Sequence, residues 1–246
     1  MTAAVEALIG DILRSIESRD LDRFEAVLAP DVTWQNVPHA PAVGRSAVLQ
    51  LLDGILPLCE RVDWEIVSAE YGTDTAWLER VDRFWIDGEC HAAPCNGVFV
   101  VDTTSKQLLS VRDYLDYSLW RERITPVLAR RAAEDAPVVV GRHLAAVRRL
   151  DTVAMSADYA RDATLSRPDH TCIGRSAISS YFSTVSGRMH SRELWLGDPV
   201  FKDNGEVTVR WSVSSTGVVV AGGTDTYQVE SGRIVHQVVH LDGSDF

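Results

Sequence analysis

Arg80 and Asp82 stand two residues apart in the stretch 77–85. Side chains of an extended strand alternate between its faces, so Leu78, Arg80, Asp82 and Phe84 are expected on one side and Trp77, Glu79, Val81 and Trp85 on the other. A charged pair among apolar neighbours is either an exposed ion pair, worth about 0–1 kcal/mol, or the polar part of a pocket. By the same rule Arg112, Tyr114 and Asp116 share a face of a later strand, and Trp34 and Asn36 share one in the strand after Asp31. Asp116 alone reads equally as a strand end or a turn cap, and Asn36 as a turn residue ahead of ProHisAlaPro. If the three strands converge, two carboxylates and one guanidinium share apolar surroundings. One arginine balances one negative charge, so such a pair is expected to hold a single proton, which equips it for general acid and general base chemistry.

The elements that would position these groups occur twice. AspValThrTrpGlnAsn from Asp31 runs into GlyArgSerAlaVal at 44–48, and AspAlaThrLeuSer from Asp162 runs into GlyArgSerAlaIle at 174–178. Each stretch is preceded by an apolar stripe at helical spacing, with Val5, Leu8, Ile9, Ile12, Leu13 and Ile16 in the first half and Val140, Leu144 and Val147 in the second. A short second helix follows in each, with Asp20 and Asp151 as N-caps. A third follows the tetrapeptide, with Ser46 and Ser176 expected as caps. Strands are then expected near 63–70, 76–86, 90–101 and 108–117, and near 192–201, 206–216, 217–229 and 233–241. The fold class is therefore α+β: two tandem cone-shaped barrels, each with N-terminal helices packed on a curved sheet. Pro126 and the stretch ArgArgAlaAlaGluAspAlaPro read as a solvated connector, so the expected domains are 1–125 and 126–246.

Bulk properties exclude several function classes. The net charge is −11, and residues 1–125 carry 21 acids and 11 bases, a balance that argues against nucleic acid or anionic membrane as partner. Cys59, Cys90, Cys95 and Cys172 lack CxxC or Cys/His spacing, so free thiols are expected and no metal site. No P-loop, GxGxxG turn or GxSxG elbow occurs, so no cofactor is expected. Lacking a secretory pattern at its N-terminus, the chain is expected in the cytoplasm.

TrpGlnAsnValPro at 34–38, ProAlaValGlyArgSerAlaVal at 41–48, GluArgValAsp at 79–82 and ArgAspTyrLeuAsp at 112–116 together resemble the limonene-1,2-epoxide hydrolase family. The resemblance covers most of the first half. It implies a nuclear-transport-factor-2-like fold and an Asp-Arg-Asp centre, in which Arg80 is the bridging arginine, Asp82 the general acid and Asp116 the base that activates water. Asn36 is similar to the family's water-positioning asparagine, whereas Trp34 replaces its tyrosine, and an indole donates but does not accept a hydrogen bond. The activity so implied is addition of water to an apolar, terpenoid- or polyketide-like epoxide, with Trp64, Trp77, Trp85 and Phe84 as candidate pocket walls. An epoxide-opening cyclase using a substrate hydroxyl is the first alternative. A SnoaL-like cyclase or isomerase, or a small-molecule binding protein, is the second.

The second half reads as a diverged copy in an accessory role. Arg210 and Ser212 align with Arg80 and Asp82, so the acid is missing. Arg210 and Asp242 are expected to form a structural ion pair, and His236 and His240 to be structural. By the same resemblance the second domain is expected to take the place of a dimer partner, as an intramolecular pseudo-dimer, with a homodimer of whole chains also open.

Overall fold

The computed structural model describes residues 2–189 and 191–243. The chain divides into two compact units, one up to Ala129 and one from Arg130 onward. In the first, α1 (Thr2–Glu17) buries the stripe from Val5 to Ile16 and packs on β3 (Arg61–Tyr71) and β4 (Thr75–Ile86). Each fully buried aliphatic side chain of this kind contributes about 1.5–3 kcal/mol. α2 (Leu21–Ala26) is capped by Asp20, which accepts the N–H groups of Asp22 and Arg23.

The sheet continues through β1 (Leu28–Val37), β2 (Ala42–Val43), β5 (Glu89–Asp102) and β6 (Gln107–Leu115) in the order β2-β1-β6-β5-β4-β3. Only the β1/β6 pair is parallel. The sheet ends on β2 and β3 without closing, so the expected barrel is an open cone. Register shifts between Ile66 and Ser68 and between Val100 and Val101 bend it.

The second unit repeats this plan. α6 (Ala136–Arg149), α7 (Thr152–Ala157) and α8 (Arg175–Arg188) pack on β7 (Tyr159–Ser166), β8 (Thr171–Ile173), β11 (Val207–Ser215), β12 (Val218–Glu230) and β13 (Arg233–Leu241). The strand expected over 192–201 is two pieces, β9 (Glu193–Leu196) and β10 (Val200–Phe201), both paired with β11. Pro199, which has no N–H to give to the ladder, lies in the break.

Two expectations are corrected. Ser46 and Ser176 cap nothing: α3 (Arg45–Asp53) and α8 begin one residue earlier, after Gly44 and Gly174, whose φ angles of 84° and 85° suit glycine alone. The stretch taken for a connector is helical at both ends, as the end of α5 (Thr125–Ala132) and the start of α6, with the non-helical residues 133–135 between them. Pro126 and Pro137 fall in first turns, where a missing N–H costs nothing. All four cysteines are free and only Cys90 is exposed. Among the described residues no helix is long and apolar enough to cross a membrane.

Candidate active site

Strand β4 alternates as its sequence demands, with Ala76, Leu78, Arg80, Asp82, Phe84 and Ile86 buried and the residues between them open. Arg80 is 1% exposed, and a guanidinium at that depth must find both charge and hydrogen-bond partners. It donates from Nε to Asp82 Oδ1 at 2.7 Å and from Nη2 to Asp82 Oδ2 at 3.2 Å. The second carboxylate is Asp113, whose Oδ1 lies 2.9 Å from Arg80 Nη2. The guanidinium also stacks 4.3 Å from the Trp64 ring and 5.5 Å from Phe99.

Asp113 replaces Asp116 in this cluster. On β6 the buried face carries Val111 and Asp113, while Arg112, Tyr114 and Asp116 point away. Asp116 lies past the strand and caps α4 (Tyr117–Arg123), accepting the N–H groups of Ser118 and Leu119 at 2.9 and 3.2 Å. The parallel ladder gives the reason, pairing Trp34 with Val111 and Asn36 with Asp113, so an inward Trp34 and Asn36 require an inward Asp113. That ladder, together with Val111 as the apolar marker of phase, is the signal by which the sequence could have separated the two aspartates of ArgAspTyrLeuAsp.

The remaining candidates take graded positions. Trp34 is buried, and its Nε1 donates to Asp113 Oδ2 at 3.2 Å, so it binds the carboxylate that a water-holding tyrosine would flank. Asn36 is half-buried beside Asp113, and its carbonyl accepts from the Tyr117 hydroxyl at 3.3 Å. Trp64 and Phe84 are buried as expected, but Trp77 is 60% exposed and Trp85 carries Arg61 on its face 4.3 Å away, so neither is a wall. Cys95 and Gly97, which sequence reasoning passed over, complete the cluster: the buried Cys95 thiol stands beside Asp113 and Arg80, and Gly97 leaves room for Arg80 and Asp113 to meet.

Burial raises the Asp82 carboxyl to about 6, against the opposing charge and hydrogen bonds of Arg80. Burial raises Asp113 as well, opposed by Arg80, Trp34 and Cys95. For Arg80 burial works against the charge, yet Asp113 and Asp82 more than offset it and hold the group firmly protonated. Burial pushes the Cys95 thiol up, with Asp113 adding to it. The charge count is thus one fixed cation and two carboxyls, both displaced toward retaining a proton. Arg80 Nη1 and Trp64 Nε1 are buried without a hydrogen-bond partner. Among the described residues no group of three or more His, Cys, Asp or Glu is arranged to hold a metal ion.

In the second unit the pairing registers correct the alignment. Val209–Asp225–Val239 lie across β11, β12 and β13 as Leu78–Gly97–Asp113 lie across β4, β5 and β6, and Trp211 and Val213 take the places of Arg80 and Asp82. Arg210 and Ser212 sit one residue out of phase. Arg210 forms the expected pair with Asp242, at 2.6 Å on the surface. His236 and His240 are both exposed, His236 beside Thr164 Oγ1 at 2.8 Å. The acid that this unit places at the ladder position of Gly97 is Asp225, half-buried and hydrogen-bonded to Trp211, Tyr227 and Gln237, which no spacing rule singled out.

Both units match the SnoaL-like domain family, over residues 9–104 and 140–237. Among solved structures, an LEH-like epoxide hydrolase of M. tuberculosis is 22% identical over 57% of this chain and 98% of its own, with a TM-score of 0.43. A protein of Shewanella denitrificans OS-217 described as a SnoaL-like polyketide cyclase is 11% identical over 50% of this chain and 97% of its own, with a TM-score of 0.44.

Proposed function

We propose that this chain, which belongs to the SnoaL-like domain family, adds water to an apolar epoxide in its N-terminal unit, with Asp82 as proton donor, Asp113 as base and Arg80 holding both. The observation that carries this reading is the continuous contact Asp82–Arg80–Asp113, buried among Trp34, Trp64 and Phe99. The sequence motifs shared with limonene-1,2-epoxide hydrolases support it, with Asp113 in the role first assigned to Asp116.

Epoxide opening needs a proton delivered to the ring oxygen while a nucleophile attacks carbon from the opposite side. The asymmetry of donors assigns the proton. Asp113 receives the Trp34 N–H besides facing Arg80, whereas Asp82 is held by Arg80 alone. Neutral donors stabilise an ionised carboxylate, so the charge belongs on Asp113 and the proton on Asp82. Asp113 Oδ1 faces the guanidinium without an aligned hydrogen bond, which leaves it free to accept the water proton. Asn36 pairs with Asp113 in the ladder, which supports it as the residue that holds that water. As water attacks, Asp113 takes its proton and Asp82 protonates the oxygen. Arg80 keeps the pair at one net negative charge before and after, and a second proton exchange resets the site.

A second reading, in which a hydroxyl of the substrate is the nucleophile, is favoured by one feature: the Trp34 indole spends its N–H on Asp113 and offers no acceptor to water. A cyclic terpene epoxide turned over in ¹⁸O-labelled water separates the two. Hydrolysis gives a diol carrying one label. Conversion without label favours the cyclase, and no conversion of any epoxide removes both.

A further inference from the structure

Tyr117 opens α4, directly after the cap residue Asp116. Residues three apart share a helix face, and Trp120, three residues on, sets its ring 5.9 Å from Phe84, the next inward residue after Asp82 on β4. The face of α4 that carries Tyr117 is therefore turned to the inner side of the sheet, where Asp82 and Asp113 lie. Tyr117 is half-buried, and its ring packs edge to face against His39 with 4.5 Å between centroids.

The Tyr117 hydroxyl meets the strand that faces Asp113. Asn36 pairs with Asp113 across β1 and β6, and its backbone carbonyl accepts the His39 N–H at 2.9 Å and the Tyr117 O–H at 3.3 Å. A carbonyl oxygen has two lone pairs, so this one has none left for water. The Tyr117 oxygen, having given its hydrogen to Asn36, keeps its own capacity to accept. Burial and then the charge of Asp113 push the phenol above its ordinary value, so it stays a neutral hydroxyl within the field of that carboxylate.

A water that attacks an epoxide carries two hydrogens. Asp113 takes one. The other stays on the oxygen and becomes the hydrogen of the new hydroxyl, and in a site without bulk water it needs an acceptor. The Trp34 indole supplies none, since its one polar hydrogen is spent on Asp113. We infer that Tyr117 positions the attacking water, its phenol oxygen accepting the hydrogen that the water keeps while Asp113 removes the other. This role rests on the hydrolysis reading of the Asp82–Arg80–Asp113 site.

The test is a double-mutant cycle on the hydrolysis of a cyclic terpene epoxide by the full chain. Tyr117→Phe keeps the ring and removes the oxygen; it is expected to lower kcat at least tenfold while KM stays within about twofold. In Trp34→Tyr a hydroxyl takes the place of the indole beside Asp113, and the loss caused by Tyr117→Phe is expected to shrink there to less than about threefold. A tyrosine that only pins the strand end through the Asn36 carbonyl costs the same in both backgrounds, because Trp34→Tyr does not restore that bond. Equal losses in the two backgrounds, an unchanged kcat, or a rise in KM alone overturns the inference and leaves Asp82 and Asp113 in their roles. No conversion of any epoxide by the unaltered chain overturns the hydrolysis reading and this role with it. Should Trp34→Tyr fail to fold, Tyr117→Phe decides on kcat per folded molecule: a fall of at least tenfold upholds the inference, and a smaller one overturns it.

Discussion

Gly97 and Asp113 are direct partners across β5 and β6, and the missing side chain of Gly97 is the gap through which Asp113 reaches Arg80. A β-carbon there would stand 2.7 Å from Asp113 Oδ1 and still closer to Arg80 Nη1. Neither group has anywhere to go, since both are packed among aromatic rings. Gly97→Ala is therefore expected to lower kcat at least a hundredfold while far-UV circular dichroism stays native, because misplacing a catalytic pair by about 1 Å costs roughly that much. Retention of wild-type turnover would remove the requirement for direct contact between Arg80 and Asp113.

The two aspartates of the motif at 112–116 separate in a paired experiment. Asp113→Asn is expected to cut kcat by about 10²- to 10⁴-fold, the usual worth of a general base. Asp116→Ala leaves turnover within about twofold and instead lowers stability in urea by about 0.5–2 kcal/mol, the cost of a lost N-cap. The reverse pattern would return the base to position 116.

Activity follows the single proton of the pair. Asp82 must be protonated to act as the acid, and burial holds it so up to about 6. kcat/KM is thus expected to fall as pH rises through about 6, with the two carboxyls titrating as a unit. The stability effect has the same sign. A carboxyl raised above its unfolded value near 4 binds more protons when folded, so its contribution is fully present below about pH 4 and lost as pH rises through about 6. Thermal unfolding followed across that window should show a steeper decline for the wild type than for Asp82→Asn.

Trp34→Phe removes one hydrogen bond to Asp113 and keeps most of the aromatic packing. A bond to a charged group is worth about 1.5–3 kcal/mol, so kcat should fall by about ten- to a hundredfold, with the apparent pKa of the base limb displaced upward. A simple packing defect would lower stability and leave the pH profile in place.

Much of this was legible in the residues and some was not, for identifiable reasons. Alternation along β4 fixed the inward face of Arg80 and Asp82, because twelve residues of regular strand leave no freedom of phase. On β6 the phase is ambiguous: Leu108 and Leu109 are adjacent apolar residues, and Leu109 is the extra residue of a bulge that shifts the register. Asp113 and Asp116 were then both admissible, and only the partner strand decides between them. The caps at Asp20 and Asp151 depend on neighbours in sequence and could be read directly. Asp225 depends on donors from two strands and on its own neighbour Tyr227, so no local pattern marks it.

The repeated GlyArgSerAla tetrapeptide takes no part in this chemistry. After each left-handed glycine the arginine Nε donates, at 2.8 Å in both units, to the carbonyl of the residue that pairs with the start of the last strand, Leu28 in one and Tyr159 in the other. Both halves have kept this latch while exchanging Arg80 for Trp211 and Gly97 for Asp225. The tetrapeptide is consequently a record of shared ancestry and a poor guide to reaction: relatives found by it will share the scaffold, and what each one catalyses is written in the inward residues of its middle strands.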